Sequence, residues 1–403
     1  MPRLENIKDK AVTAVMNTYG RLPVSFSQGD NVYLYDQTGR QYLDAISGIG
    51  VNALGHSHPA VSAAIKDQAD RLIHTSNLYG IERQQQLAES LCAASGMESV
   101  FFSNSGAEAN EAAIKIARLY GHNNGIELPQ IIVMENAFHG RTMATLTASG
   151  SRKIQAGFEP LVSGFLRAPY GDMAALNTIA QSNSDVVAVL IEPIQGEGGV
   201  NVLPEHFMPE LRALCDQQQW LMMVDEVQTG NGRTGEYFAY QHHRLLPDVV
   251  TTAKGLGNGL PIGACLAQGK AAATFGPGNH GSTYGGNPLV CAAAQAVVTT
   301  IAEQKLCDNA KTIGDWLLQG FNDQLGDKTL VQDIRGQGLM IGIELTQPCA
   351  ELVDRAREKG LLINVTAGNV IRLLPPLIIN QAQAEIVLTT IVDIVNQFAE
   401  AHR

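Results

Sequence analysis

Five short, almost unbroken apolar runs, separated by helical patterns, constrain this chain more than any other feature. They are VFFS (100–103), IIVM (131–134), VVAVLI (186–191), WLMMV (220–224) and DVVTTA (248–253). Runs of this length without polar alternation mark strands covered on both faces. Between the first two, Ala109, Ala112, Ala113, Ile116, Ala117 and Tyr120 fall on one stripe at helical period. On the opposite face Glu111 and Lys115 have i,i+4 spacing for an ion pair. Strands alternating with helices predict an α/β fold built on a mainly parallel sheet.

Past Pro288 the texture changes. LVCAAAQAVVTTIAEQ predicts a long helix leaving the sheet region, followed by GLMIGIEL, a helix around 352–357, the strand GLLIN and a final helix with Leu388, Ile391, Val395 and Phe398 on one face. That α+β mixture reads as a smaller domain, and 403 residues exceed one ordinary core. NVYLYDQTGRQYLDAISG near the start reads as short strands around Thr38-Gly39, and pattern alone leaves open which domain they join. The expected division is an N-terminal segment (1–50) packing with the small domain, a large domain (51–288) and a C-terminal small domain (289–403).

Charge and cysteine usage exclude several functions. A formal net charge of −11 argues against sequence-independent nucleic-acid binding. The charged start, MPRLENIKDK, lacks the apolar core of a secretory signal. The longest stretch without Asp, Glu, Lys or Arg, 271–302, is broken by Gly, Asn, Pro and Ser, so no membrane span is expected. None of the six cysteines has CxxC spacing, and we read them as small buried hydrophobes in a reducing cytoplasm. The ten histidines form no HExxH motif, and no metal site is expected.

In parallel α/β sheets, ligands bind beyond the carboxyl ends of the strands. After VFFS, Ser105 and Glu108 fit a capping box, and Gly106 and Ala107 open a helix whose dipole favours a phosphate; a well-capped helix alone explains the same residues. After IIVM, Phe138 could stack on a planar ligand and Arg141 could fork onto a carboxylate, with His139 and Gly140 between them; core aromatic and surface charge are equally good readings. Asp225 ends the most apolar strand, as a turn cap or as a carboxylate held for a buried cation. After DVVTTA, Lys254 opens GLGNGLP. Its order relative to the glycines is wrong for a phosphate loop, and no acidic ribose partner supports a dinucleotide site. A lysine pushed into a low-dielectric site loses preference for its charge, which suits Schiff-base chemistry.

Together these parts ask for one ligand carrying a phosphate, a flat ring, a protonatable ring nitrogen and an aldehyde, which is pyridoxal 5′-phosphate. Its aldehyde would meet Lys254, its ring nitrogen Asp225, and its phosphate the helix start at 105–107.

The motifs SGAEANEAAIK, FHGRT, IEPIQGEGG, DEVQTG, TTAKGLGNGLPIGA and GSTYGGNP resemble the class III aminotransferases of the ornithine-transaminase type over nearly the whole chain. GHSHP, RTGEYFAY and DIRGQGLMIGIEL are most similar to the branch acting on N-acetylornithine. The resemblance implies the fold-type-I architecture of pyridoxal-phosphate enzymes and a homodimer with shared active sites. It further implies a cofactor set of Ser105, Gly106, Ala107, Phe138, His139, Asp225, Gln228 at the ring hydroxyl, Lys254, and Thr283 reaching the neighbouring subunit's phosphate. Ser282 would lie beside the substrate. Arg141, with Tyr19, would take the far carboxylate of either substrate. Arg372 would take the near carboxylate of glutamate, and Glu197 would neutralise Arg372 when the other substrate is bound. Read from residues alone, Glu197 and Arg372 are an ordinary surface pair, and STYGGN is a hydroxyl-rich turn. Mutases, racemases and decarboxylases share Lys254 and Asp225; alternating substrates favour transamination. One departure is Ile49, where ornithine aminotransferases typically place a tyrosine. It argues for an acylated amine over free ornithine and leaves N-acetyl and N-succinyl ornithine unseparated.

Overall fold

The computed structural model describes residues 14–326 and 329–401. Residues 1–13 of the expected N-terminal segment lie outside the described residues. The chain opens with an antiparallel meander, β1 (Phe26–Asp30), β2 (Tyr33–Asp36) and β3 (Gln41–Asp44). Next come β4 (Ser99–Ser103), β5 (Gln130–Met134), β6 (Phe165–Ala168) and β7 (Val186–Ile191). A hairpin follows, β8 (Ile194–Gln195) and β9 (Asn201–Val202), and then β10 (Leu221–Asp225), β11 (Val249–Thr252) and β12 (Gly263–Ala267). The C-terminal part carries β13 (Val331–Gln337), β14 (Met340–Leu345), β15 (Leu361–Leu362), β16 (Asn364–Thr366) and β17 (Val370–Leu373).

The central sheet has seven strands in the order β4-β12-β11-β10-β7-β5-β6. All run parallel except β12, which pairs antiparallel with both β11 and β4. The continuous apolarity of its strands has a direct cause. In β10, Leu221 and Met223 enter one core, while Met222 and Val224 enter another on the opposite face. In β7, Val187 and Leu190 face the first, and Val186, Val189 and Ile191 the second. With helices on both faces, a strand has no solvent side on which polar residues could alternate.

A second, antiparallel sheet has the order β13-β14-β17-β16. β15, although it lies between β14 and β16 in the chain, joins the N-terminal meander instead, pairing in parallel with β3. Val32, Leu43 and Ala45 accordingly share a core with Ile341, Ile343 and Phe398. The helix Pro288–Glu303 starts where the sequence places it, with Pro288 in its first turn and the Asn287 side chain accepting from the Val290 N–H. It serves two cores: Val290, Ala294 and Val298 pack on the central sheet, and Ala293, Val297 and Ile301 on the C-terminal elements.

Several local expectations need correction. Glu111 and Lys115 do not pair with each other; Glu111 accepts from the Thr142 hydroxyl, and Lys115 donates to the Asn279 carbonyl at 2.7 Å. Tertiary partners within reach outcompete an exposed i,i+4 pair worth only ~0.5 kcal/mol. All six cysteines are free, but Cys92 and Cys307 are only half-buried. No sequence signal marked residues 47–50, where Ser47, Gly48, Ile49 and Gly50 run left-handed at φ of 51°, 60°, 66° and 72°. A β-branched residue held there costs ~1–3 kcal/mol. The turn is pinned by Asp44, which accepts from the N–H groups of Ile46 (3.0 Å) and Ser47 (2.8 Å) and meets His56 at 2.9 Å.

Candidate active site

The carboxyl ends of β4, β5, β7, β10 and β11 converge on a cavity of about 450 Å³. Its wall includes Ser105, Gly106 and Ala107 after β4, Phe138, His139 and Arg141 after β5, Glu192 after β7, Asp225 and Gln228 from β10 onward, and Lys254 after β11.

The floor is Asp225, buried at 3 % exposure. Its Oδ2 accepts from Asn110 Nδ2 and meets His139 Nδ1, both at 2.7 Å, and its Oδ1 accepts from the Val227 N–H at 3.0 Å. Asn110 is itself held by the Thr251 hydroxyl at 2.6 Å. Desolvation pulls the His139 pKa down, but the bond to Asp225 and its charge outweigh that, so the net shift is upward. Among the described residues, His139 Nε2 has no hydrogen-bond partner.

Lys254 occupies a left-handed position, φ 45°, at the start of a short turn. Burial lowers its pKa from the ordinary 10.5 to about 8; Glu197 opposes the shift and Arg372 reinforces it. A far larger share of the amine is therefore uncharged near neutral pH than for a free lysine.

The helix Gly106–Asn123 points its N-terminus at the same space. Ser105 accepts from the Glu108 N–H at 3.2 Å, as a capping box requires. The Glu108 carboxylate departs from the box by accepting from the Asn104 N–H and side chain, both at 2.8 Å, one residue early. Gly106 is required for a reason the sequence did not show: a Cβ there would lie 2.6 Å from Val227. Helix start and Asp225 loop therefore pack backbone against side chain.

The Glu197–Arg372 pair is no surface pair. Arg372 is fully buried, at 0 % exposure. Its Nη1 donates to Glu197 Oε1 at 2.6 Å and to Gln228 Oε1 at 3.2 Å, and its Nε to Asn364 Oδ1 at 3.2 Å. Nη2 is buried with no partner among the described residues. The Glu197 side chain remains 33 % exposed. Desolvation raises its pKa, but the charge and hydrogen bond of Arg372 more than reverse this, and the net shift is downward.

Arg141 is exposed at the cavity wall, its guanidinium 5.9 Å from the centre of the Phe138 ring. Five candidates stand apart from the wall; Glu197 and Arg372 reach it only through Gln228. Tyr19 is 70 % exposed, and Thr283 lies in an exposed loop. Ser282 is linked to the wall only through Asn104, whose Nδ2 donates to its hydroxyl at 3.3 Å.

Sequence reasoning missed Glu192, Asn110 and Thr251. Glu192 is buried, accepts from the Phe138 N–H at 3.0 Å, and is pushed by burial to a pKa of about 8. The signal existed, because Glu192 ends the apolar run of β7 just as Asp225 ends that of β10. Asn110 gave no signal, since one amide on an alanine-rich helix face reads as a polar surface residue.

The architecture is that of fold-type-I, pyridoxal-phosphate-type transferases. A model of the family "Aminotransferase class-III" matches residues 14–395, and the chain belongs to that family of aminotransferases. The acetylornithine aminotransferase of Nitrosomonas europaea is 56 % identical over 387 residues, covering 96 % of this chain and 98 % of that protein. Acetylornithine aminotransferase 1 of Bordetella pertussis is 50 % identical over 386 residues, with the same coverage of 96 % and 98 %. Among solved structures, an ornithine aminotransferase from Toxoplasma gondii with partial occupancy of PLP at its active site has a TM-score of 0.92 at 32 % identity, covering 96 % of this chain and 94 % of that one. The acetylornithine aminotransferase of Elizabethkingia anophelis has a TM-score of 0.85 at 33 % identity, covering 95 % and 96 %.

Proposed function

We propose that this aminotransferase moves the side-chain amino group of N2-acetylornithine to 2-oxoglutarate, with pyridoxal 5′-phosphate as cofactor, yielding N-acetylglutamate 5-semialdehyde and glutamate. The observation that carries the reading is Arg372, a fully buried guanidinium with one unpartnered nitrogen, facing a glutamate that is still a third exposed. A buried cation left unpaired is costly. Glu197 neutralises Arg372 when the substrate end near it carries no carboxylate, and turns toward solvent when glutamate brings one. That arrangement suits two substrates alternating in one cavity.

The residues fit the cofactor: a lysine in the cavity wall whose amine gives up its proton more readily than usual, a buried carboxylate on its floor, and a helix N-terminus in its wall. When bound, pyridoxal phosphate supplies an aldehyde for the incoming amine and a cationic ring that delocalises the electrons left by a departing proton. Asp225 would hold the charge on the ring nitrogen, with His139 and Asn110 fixing the carboxylate. Phe138 would cover the ring face, Gln228 would reach the ring hydroxyl, and Ser105, Gly106 and Ala107 would receive the phosphate. The Lys254 amine would take the proton from the substrate carbon and return it. Arg141 and Tyr19 take the carboxylate far from the reacting amine.

Thr283 and Ser282 act from a second copy in a homodimer with shared sites. Leu72, Ile73, Leu78, Tyr79 and Tyr284 support this, since all are exposed next to that loop. His74 packs on Tyr284 at 5.5 Å, and Asn77 donates to the Ser282 carbonyl at 3.0 Å. Such an apolar patch marks an interface. Ile49, 41 % exposed, makes the nearby left-handed turn aliphatic, which favours an acylated amine over free ornithine.

The test is a half-reaction panel followed by loss of the yellow cofactor colour. N2-acetylornithine and glutamate should both bleach the enzyme, and ornithine and 4-aminobutyrate should lag by at least ~10-fold, the discrimination expected of one pocket contact. Faster bleaching by ornithine than by N2-acetylornithine would refute the substrate.

A further inference from the structure

Arg233, in the GRTG stretch, has no part in the chemistry above, yet it is 2 % exposed. Buried arginines normally meet a carboxylate. Among the described residues Arg233 has none in salt-bridge range; burial alone acts on it and draws its pKa down to about 9. Its Nη1 instead donates to two backbone carbonyls, Leu339 at 3.1 Å and Pro375 in a short contact. Those carbonyls are not arbitrary. β14 and β17 pair with Ile341 opposite Leu373 and Gly342 opposite Arg372. Continuing that register past the end of the ladder brings Leu339 opposite Pro375. One guanidinium thus joins the two strands where their own pairing stops, three residues from Arg372. The backbone adds a reciprocal link, the Leu339 N–H donating to the Arg233 carbonyl at 3.0 Å.

The same segment reaches the site twice more. It begins at Asp225, and Gln228 accepts from Arg372 at 3.2 Å. The acidic end of the ion pair is held separately. Arg335 on β13 donates to the carbonyls of Gly199 (2.6 Å) and Val200 (3.0 Å), just past Glu197, and is itself neutralised by Asp333 and Glu344. Two arginines therefore span the central sheet's loops and the C-terminal sheet. Only Arg233 does so with no acidic partner, and only it grips the strand that carries Arg372.

We propose that Arg233 is a positioning residue for the near-carboxylate subsite, fixing Arg372 beside Gln228 at the cavity wall by clamping together the segments that flank β14 and β17 just past their ladder. The proposal rests on Arg372 receiving the carboxylate of glutamate and 2-oxoglutarate. It follows that Arg233 serves one half-reaction. N2-acetylornithine, which leaves Arg372 to Glu197, does not use the position that Arg233 enforces.

The experiment compares the holoenzymes Arg233→Met, Arg233→Lys and Arg372→Ala in separate half-reactions with glutamate and N2-acetylornithine. Misplacing a binding group by about 1 Å costs on the order of 10²-fold. Arg233→Met should therefore weaken glutamate saturation by ~10- to 100-fold, and the N2-acetylornithine half should hold within about threefold of the unaltered enzyme. Arg233→Lys, which keeps a donor for the carbonyls, should recover part of the loss. Equal losses in both halves would make Arg233 a general structural staple and overturn the proposal, as would an unchanged glutamate half. If Arg372→Ala itself spares glutamate, the subsite reading fails first, which distinguishes the two failures. Should Arg233→Met not fold, the same split in Arg233→Lys decides.

Discussion

The floor at Asp225 and the pair at Glu197–Arg372 are both buried electrostatic contacts, yet they are built oppositely. The Asp225 carboxylate is held on both oxygens, by Asn110 and His139 on one and the Val227 N–H on the other, with Thr251 behind them. None of these needs to move during a reaction cycle. The other contact keeps a buried Arg372 nitrogen without a partner and a glutamate still in touch with solvent. A carboxylate gripped on both oxygens by buried groups holds one geometry, whereas a guanidinium short by one acceptor beside a part-exposed carboxylate is ready to exchange its partner for a ligand. On the proposed function, the floor serves a group that stays, and the pair serves groups that come and go.

Asp225→Ala is the most severe way to test this contrast. It strips His139 of its anion and should slow single turnovers with both amino donors by ~10²–10³-fold, the usual scale for losing one electrostatic stabiliser. A floor serves both substrates, so a loss confined to one half would break the comparison. Arg372→Ala should follow, with a loss of ~10²-fold for glutamate. N2-acetylornithine should change by no more than ~5-fold, because a freed Glu197 has water to meet it. Comparable losses in both halves would erase the distinction between fixed and exchanging contacts.

The smallest effect is on pH. Lys254 is held at about 8, below its ordinary 10.5, so its amine becomes uncharged at lower pH than a free lysine. Because the neutral amine is the reactive form, covalent capture of pyridoxal phosphate by the apoprotein should rise ~10-fold per pH unit below 8 and level off above it. Continued climbing to pH 10 would show that the cavity does not desolvate Lys254.

Much of the site was legible because its residues end strands. Asp225 and Lys254 each close an apolar run, and a charge at that place has few structural uses. Glu192 obeys the same rule, but followed by Pro193 it reads equally well as the first residue of a turn. Arg372 was not legible in kind: a lone arginine between apolar residues reads as exposed, and only its surroundings show it wholly buried. Arg233 had no readable role either, since its partners are backbone carbonyls, which every sequence contains. Residues 47–50 gave no hint of four consecutive left-handed residues, because Ser47 and Ile49 resist that conformation intrinsically.

The order of apolar runs and the charged residues at their ends were enough to determine an α/β sheet with a lysine and an aspartate at one edge, because strand periodicity and desolvation are local properties. Contacts between distant segments required the folded chain. The single antiparallel strand β12, the parallel pairing of β15 with β3, and the meeting of residue 197 with 372 all join stretches far apart in sequence. Such partnerships are selected by which surfaces bury together and which charges are then left to neutralise one another. No local pattern of residue types carries that information.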